Sequence, residues 1–158
     1  MIWTYKTYSE TIRAYQDAGY ELGSFENFLD SQSSKFIVLR HDLDFDPTLL
    51  LPMIEVEHSL GVTSTSFFRV AAKNYNYLSA TVCDLLHDIY SVGGSSGLHL
   101  DCGIESSWEK SLEESAEIQR NTFDSISPEP MKGFSLHQPT NNGGYEFANE
   151  LVAKWKLP

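Results

Sequence analysis

The segment RHDLDFDP carries an imidazole and three carboxylates within six positions, directly after an apolar run. His41 is followed by Asp42, Asp44 and Asp46, and apolar residues separate the three aspartates. Carboxylates this close repel one another, and burying one of them without a partner costs free energy. A divalent cation would offset that repulsion, so the segment points to metal chemistry at the end of a strand.

Histidine also ends two later strand-like segments. The segment GLHLD contains His99 and Asp101, and the segment FSLHQP contains His137. If the sheet is parallel, these segments end at one rim, where Asp42 and Asp44 would meet the two histidines. One or two carboxylates with two imidazoles suit zinc or another first-row divalent ion, and they leave a position for water.

Alternating strand and helix signals supply the elements that would position these residues. The predicted strands are residues 20–25, 35–40, 62–70, 97–101 and 132–136. The predicted helices are residues 8–18, 46–60, 80–92, 105–126 and 145–155. This order suits right-handed crossovers and a parallel sheet, so we expect an α/β fold in a single domain, residues 1–158.

Other polar residues near these elements have simpler interpretations. Asp46 is expected to cap the helix that begins at Pro47. His58 and His87 lie inside predicted helices and end no strand, so we interpret them as surface or half-buried residues.

Composition narrows the classes of partner. The chain has 158 residues, of which 41% are hydrophobic, as expected for one domain with a core. A formal net charge of −11 argues against a nucleic-acid backbone or an anionic membrane as the main partner. The chain shows no signal-peptide core and no apolar run near the ~20 residues of a membrane span. Cys83 and Cys102 do not suggest a disulfide framework, so we expect a cytoplasmic protein.

Three motifs together carry a family resemblance. They are RHDLD from Arg40, GLHLD from Gly97 and FSLHQP from Phe134. With STSFFR and the Tyr75–Asn76 loop, they resemble the NodB-like polysaccharide deacetylases, metal-dependent hydrolases of carbohydrate esterase family 4. The resemblance is closer to a branch with Arg-His-Asp-x-Asp, Gly-Leu-His-x-Asp and Phe-Ser-x-His-x-Pro motifs, and it runs from about residue 8 to residue 139. It implies a partial or distorted (β/α) barrel.

The resemblance also implies roles for the residues of the first motif. Asp42 resembles the catalytic base, and Asp44 resembles the metal-binding carboxylate. The family's usual motif has adjacent aspartates, whereas Leu43 intervenes here, so the two roles could be exchanged. Arg40 and His41 are weaker candidates for orienting the base or contacting substrate.

The later motifs imply the remaining metal ligands. His99 matches the first histidine of the family's second motif, but Gly103 stands where the second histidine would be. His137 is the candidate that replaces it, and Asp101 is a weaker one. The implied ion is zinc first, with cobalt, nickel or manganese as alternatives.

The implied activity is removal of N-acetyl groups from a sugar or polysaccharide by water that the metal activates. Tyr75, Tyr77 and Trp108 are candidate sugar-stacking side chains, with core or loop packing as the alternative for each. Two other functions stay open: hydrolysis of a different non-peptide C–N bond, and an inactive fragment or binding module.

The end of the chain departs from the family pattern. The family's late Leu-x-His motif supplies a general acid, and no histidine follows His137. The barrel also lacks two or three strands. We therefore expect a C-terminally truncated version of a longer protein, which alone deacetylates poorly and whose open sheet edge could support self-association.

Overall fold

The computed structural model describes residues 4–139 and 144–157, which form six strands and seven α-helices. The strands are β1 (Glu21–Gly23), β2 (Phe36–Val38), β3 (Arg40–Leu43), β4 (Thr65–Phe68), β5 (Ser95–Asp101) and β6 (Phe134–His137). The helices are α1 (Tyr5–Asp17), α2 (Phe25–Asp30), α3 (Leu51–Ser59), α4 (Ala80–Ser91), α5 (Glu105–Trp108), α6 (Leu112–Asp124) and α7 (Gly144–Trp155). No helix within these ranges is both long and apolar enough to cross a bilayer.

Every strand pair in the described ranges is parallel, which confirms the predicted α/β class and strand direction. Strands β3, β4, β5 and β6 form one sheet in that order, and β1 pairs with β2 in a smaller sheet. The larger sheet curls into a half-barrel. Its curl is strong enough that Ser135 on β6 approaches Asp42 on β3 to 3.4 Å (Oγ to Oδ1), although two strands lie between them.

The two faces of the curled sheet differ in chemistry because successive side chains of a strand point to opposite faces. The outer face is apolar and packs against helices; its buried residues include Leu43, Phe68, Leu98 and Leu100. The inner face carries the polar residues of the motifs. The alternation places Asp42, Phe67 and Gly97 at matching positions of three neighbouring strands on that inner face.

The strand predicted over residues 35–40 is two strands that change partner at Leu39. The Leu39 amide donates to the Gly23 carbonyl beside β1, and the Leu39 carbonyl accepts from the Thr65 amide of β4. Pairing with β4 then continues through Leu43. Asp42 is therefore part of the strand and does not follow it.

The predicted long helix over residues 105–126 is wrong, because the chain breaks before Ser111. Glu109 has a positive φ of 53°, which ends α5. Ser111 then caps α6 in a capping box with Glu114. The Ser-x-x-Glu pattern was the signal for this second start.

Helix α2 was not predicted: it begins at the last residue of the strand predicted over residues 20–25 and extends into the segment before the strand predicted over residues 35–40. Ser24 caps the helix in a capping box with Asn27, whose side-chain oxygen accepts a hydrogen bond from the Ser24 amide. Its first residue, Phe25, packs edge-on against Phe67 of the inner face, with ring centroids 5.9 Å apart. Helix α2 therefore covers part of the half-barrel interior.

Gly97→Ala should destabilise the protein, because the inner face has no room for a methyl group there. A Cβ at this position would lie 2.5 Å from Phe67 Cε1 and 2.8 Å from the Gly133 carbonyl oxygen. We expect a loss of about 1–3 kcal/mol in the free energy of unfolding, measured by urea denaturation. Gly133→Ala is the matched control, since a Cβ there meets no atom within 4 Å. Equal stability of both variants would contradict the packing described.

Candidate metal centre

Three strands bring one carboxylate and two imidazoles together at their carboxyl ends. Asp44 directly follows β3, His99 lies on β5, and His137 ends β6. Asp44 Oδ1 lies 3.1 Å from His137 Nδ1 and 3.7 Å from His99 Nε2. One ligand atom from each of the three residues lies within 4.8 Å of the other two. The structure thus assembles the three residues predicted as metal ligands.

The donor set and its spacing fit a divalent first-row ion. Two protein ligands of a tetrahedral zinc ion at 2.0–2.2 Å lie about 3.3 Å apart, close to the two distances from Asp44. Nitrogen and carboxylate donors are those that zinc and its neighbours prefer. The three residues can therefore hold such an ion with small side-chain movements, and three protein ligands leave a position for another molecule.

The surroundings of His99 favour its neutral imidazole, the form that a metal ligand requires. Burial lowers the pKa of its imidazole, and the neighbouring Asp42 and Asp44 carboxylates oppose that effect only in part. Its Nδ1 lies 2.7 Å from Ser135 Oγ, within hydrogen-bonding distance, and Ser135 Oγ lies 3.4 Å from Asp42 Oδ1. When Nδ1 donates to Ser135, the lone pair of Nε2 is left for a metal ion.

Asp42 lies beside the three ligands and is paired with Arg40. The Arg40 guanidinium donates two hydrogen bonds to the Asp42 carboxylate, at 2.8 and 2.6 Å. Burial raises the pKa of Asp42, but hydrogen bonds from Arg40 and Ser135 and the charges of His99 and Arg40 outweigh it. The pKa of Asp42 consequently lies below its usual value, so its carboxylate is ionised at neutral pH. Its Oδ2 lies 4.0 Å from His99 Nε2.

Arg69 is a residue of the site that sequence reasoning missed. It directly follows β4, on the same rim, and its side chain is 11% exposed. The guanidinium contacts both Asp44 and Asp101. Its signal in the sequence is a charged residue near the carboxyl end of the strand predicted over residues 62–70.

The loop after β4 fixes the backbone around this centre. The Tyr75 hydroxyl accepts from the Arg69 amide at 2.8 Å and donates to the Leu43 carbonyl at 3.0 Å. Asn74 donates to the Asp44 carbonyl at 3.1 Å. The loop therefore links the ends of β3 and β4, and the Tyr75 hydroxyl is used in that link.

His41 faces away from the metal centre, because it alternates with Asp42 along β3. Its Nε2 lies 2.6 Å from Glu57 Oε1 on α3. Glu57 is buried and also accepts from the Tyr8 hydroxyl at 2.5 Å and the Ser64 hydroxyl at 2.7 Å. This group joins α1, α3 and β3 behind the sheet. His41 is not brought together with the other predicted site residues.

The remaining predicted residues lie outside the three-ligand group. Asp101 is buried, and its carboxylate contacts Arg69. Tyr77 is 1% exposed and donates to the Phe123 carbonyl, so it belongs to the core. Trp108 ends the short helix α5. His58 and His87 are exposed on helices, as predicted, and Asp46 caps the turn at Pro47 by accepting from the Thr48 amide.

No protein-family model and no curated protein matches the chain. The resemblance to the polysaccharide deacetylases therefore stays a prediction that rests on the three motifs. The function of the centre has to be argued from its own residues.

His41→Ala should lower stability and leave metal binding unchanged. The substitution removes one hydrogen-bond partner of a buried carboxylate, which typically costs about 1–3 kcal/mol. We expect that loss in urea denaturation and an unaltered zinc affinity in calorimetric titration. The control is His58→Ala on the exposed surface of α3, which should change the free energy of unfolding by less than about 0.5 kcal/mol. A loss of zinc affinity in His41→Ala would place His41 in the metal centre.

Proposed function

We propose that the protein is a metal-dependent hydrolase that removes N-acetyl groups from a sugar or polysaccharide. The observation that carries the proposal is the meeting of Asp44, His99 and His137 at one rim, with the ionised Asp42 beside them. A ligand group with an adjacent, separately held carboxylate suits hydrolysis better than structural metal binding, since structural zinc sites commonly use four protein ligands.

In the proposed reaction, water and the carbonyl group are activated by the metal ion, and residues of the chain accept the proton. When bound, a divalent ion lowers the pKa of water toward neutrality and polarises a carbonyl group. Asp42 would accept the proton of the attacking water, because it is ionised and lies beside the ligands without being one of them. Arg40 holds the Asp42 carboxylate in one orientation through two hydrogen bonds, and Ser135 Oγ lies 3.4 Å from the same carboxylate. Zinc is the first choice of ion, because two imidazoles and one carboxylate are a known catalytic ligand set for it.

An exposed apolar platform beside Asp44 supports a carbohydrate substrate. Phe45 is 70% exposed and Leu49 is 60% exposed. Together with Asp42 and Asp44 they line a groove of about 300 Å³. A pyranose ring has an apolar face that can pack on an aromatic side chain and hydroxyl groups that can donate to carboxylates. Phe45 thereby takes the role that the sequence suggested for Tyr75 and Tyr77, whose hydroxyl groups are used inside the fold.

Substitutions can distinguish the role of the catalytic base from the role of the metal ligands. The unchanged chain is expected to release acetate from N-acetylglucosamine oligomers only slowly, and Asp42→Asn should remove that release, because proton transfer typically contributes about 10²–10⁴-fold. Its zinc affinity should stay close to that of the unchanged protein. Asp44→Asn and His99→Ala should lose zinc affinity by more than about 100-fold, because each removes a ligand.

Acetate release with zinc or cobalt and calorimetric zinc titration would be measured on all three variants. Equal loss of zinc in the three would mean that base and ligand are wrongly assigned. Zinc binding without acetate release, by the unchanged protein, would favour hydrolysis of a different C–N bond or a binding function.

Phe45→Ala should weaken the binding of N-acetylglucosamine oligomers by about 2- to 10-fold, the contribution expected of one aromatic contact. Zinc affinity should not change, since the Phe45 side chain carries no donor atom. Calorimetric titration with the oligomer measures the first effect. The matched control is Tyr15→Ala, which removes an exposed aromatic ring from α1, and it should bind the oligomer like the unchanged protein. Unaltered oligomer binding by Phe45→Ala would exclude the platform.

A further inference from the structure

Arg69 lies between two carboxylates of the inner face and leans toward one of them. Its Nη2 lies 2.5 Å from Asp101 Oδ2, whereas its Nη1 lies 3.4 Å from Asp44 Oδ1. The first contact is a charge-assisted hydrogen bond, shorter than is usual for an N–H donor, and the second is longer than the usual range. Arg69 is therefore paired mainly with Asp101, and its guanidinium leaves the Asp44 carboxylate accessible on the side of the two histidines.

Asp101 is fixed in place by its own neighbours. Its amide donates to Gln119 Oε1 at 2.9 Å, and its carbonyl accepts from Gln119 Nε2 at 3.1 Å. Its Oδ1 accepts from the Gly103 amide at 3.0 Å. The buried Nε of Arg69 finds no acceptor among residues 4–139 and 144–157. Within the described ranges, the hydrogen-bond partners of the guanidinium are therefore the carboxylates of Asp101 and Asp44.

The alternative position of Arg69 would damage the metal centre. A guanidinium binds a carboxylate best through two parallel hydrogen bonds, as Arg40 binds Asp42 on the same face. Without a charge on Asp101, Arg69 would take Asp44 in this way. Both Asp44 oxygens would then be occupied, and the guanidinium charge would repel a divalent ion held by Asp44.

We propose that Asp101 is a positioning residue of the metal centre: it holds Arg69 back from Asp44 and so keeps the Asp44 carboxylate available to a divalent ion. This role concerns the metal centre on which the proposed function rests, and it does not depend on the reaction. It differs from the weak ligand role that the sequence suggested for Asp101, because Asp101 acts through Arg69 and not through a bond to the ion.

The test is a zinc titration of variants that remove one or both charges of the pair. Asp101→Asn keeps the size of the side chain and an oxygen that can accept from Gly103. We expect it to bind zinc about 10- to 100-fold more weakly, the range of a hydrogen bond to a charged group. In the double variant Asp101→Asn with Arg69→Met the competing guanidinium is gone. Its zinc affinity should return to within about threefold of that of the unchanged protein.

Arg69→Met alone gives an independent check, because removing the competitor should leave zinc affinity at least as high as before. Circular dichroism and urea denaturation would establish that each variant is folded; the double variant removes both charges of a buried pair, which proteins commonly tolerate. The matched control is Asp124→Asn, which removes the carboxylate paired with Arg120 at 3.7 Å on α6. It should bind zinc like the unchanged protein.

The outcomes separate this proposal from the proposed function. If the double variant binds zinc as weakly as Asp101→Asn, Asp101 is itself a ligand and the proposal is wrong. A loss of affinity in Arg69→Met, or an unaltered affinity in Asp101→Asn, would also overturn it while the metal centre stands. If the unchanged protein binds no zinc, both this proposal and the proposed hydrolase function fail.

Discussion

The curl of the four-stranded sheet is the constraint on which the candidate site depends. In a flat parallel sheet, β3 and β6 would lie about 14 Å apart, since neighbouring strands are spaced about 4.8 Å. Here Ser135 of β6 reaches both Asp42 of β3 and His99 of β5. The same curl carries Asp44 to His137 across the sheet. Gly97 leaves room on the inner face for the Phe67 ring, which occupies the space that a side chain there would need.

On the inner face, arginine side chains offset most of the repulsion between the aspartate carboxylates. Asp42 is paired with Arg40, and Asp101 is paired with Arg69. Asp44 Oδ1 has the His137 imidazole as its nearest cationic or metal-binding partner at 3.1 Å, followed by Arg69 Nη1 at 3.4 Å and His99 Nε2 at 3.7 Å. The crowded aspartates of the sequence pointed to a metal because one arginine, Arg40, stands beside three carboxylates in the same segment. The fold supplies two of the counter-charges from strand ends and leaves one carboxylate for an ion.

The sequence predicted which residues meet at the carboxyl ends of the strands. It did not predict which face of the sheet each residue of β3 occupies. The histidines at residues 99 and 137 could be placed with Asp44, because the carboxyl ends of parallel strands share a rim. His41 could not be separated from Asp42, because the predicted strand ended at Arg40 and alternation beyond that point was unknown. The pairing of β3 with β4 through Leu43 depends on the partner change at Leu39, a tertiary event without a local signal. Arg69 likewise becomes part of the site only through the register of β4.

Helix α2 contributes to the metal centre although it lies at the other end of the strands. Phe25 packs on Phe67, and the Arg40 guanidinium lies over the Phe67 ring, 5.2 Å from its centroid. Because Phe25 fixes one face of the Phe67 ring, the other face offers the Arg40 guanidinium a defined cation–π contact while it pairs with Asp42. Ser135 lies between the Asp42 carboxylate and His99, with its Oγ 3.4 Å from Asp42 Oδ1 and 2.7 Å from His99 Nδ1. The apolar contact between α2 and Phe67 is thus linked, through Arg40, Asp42 and Ser135, to one of the candidate metal ligands.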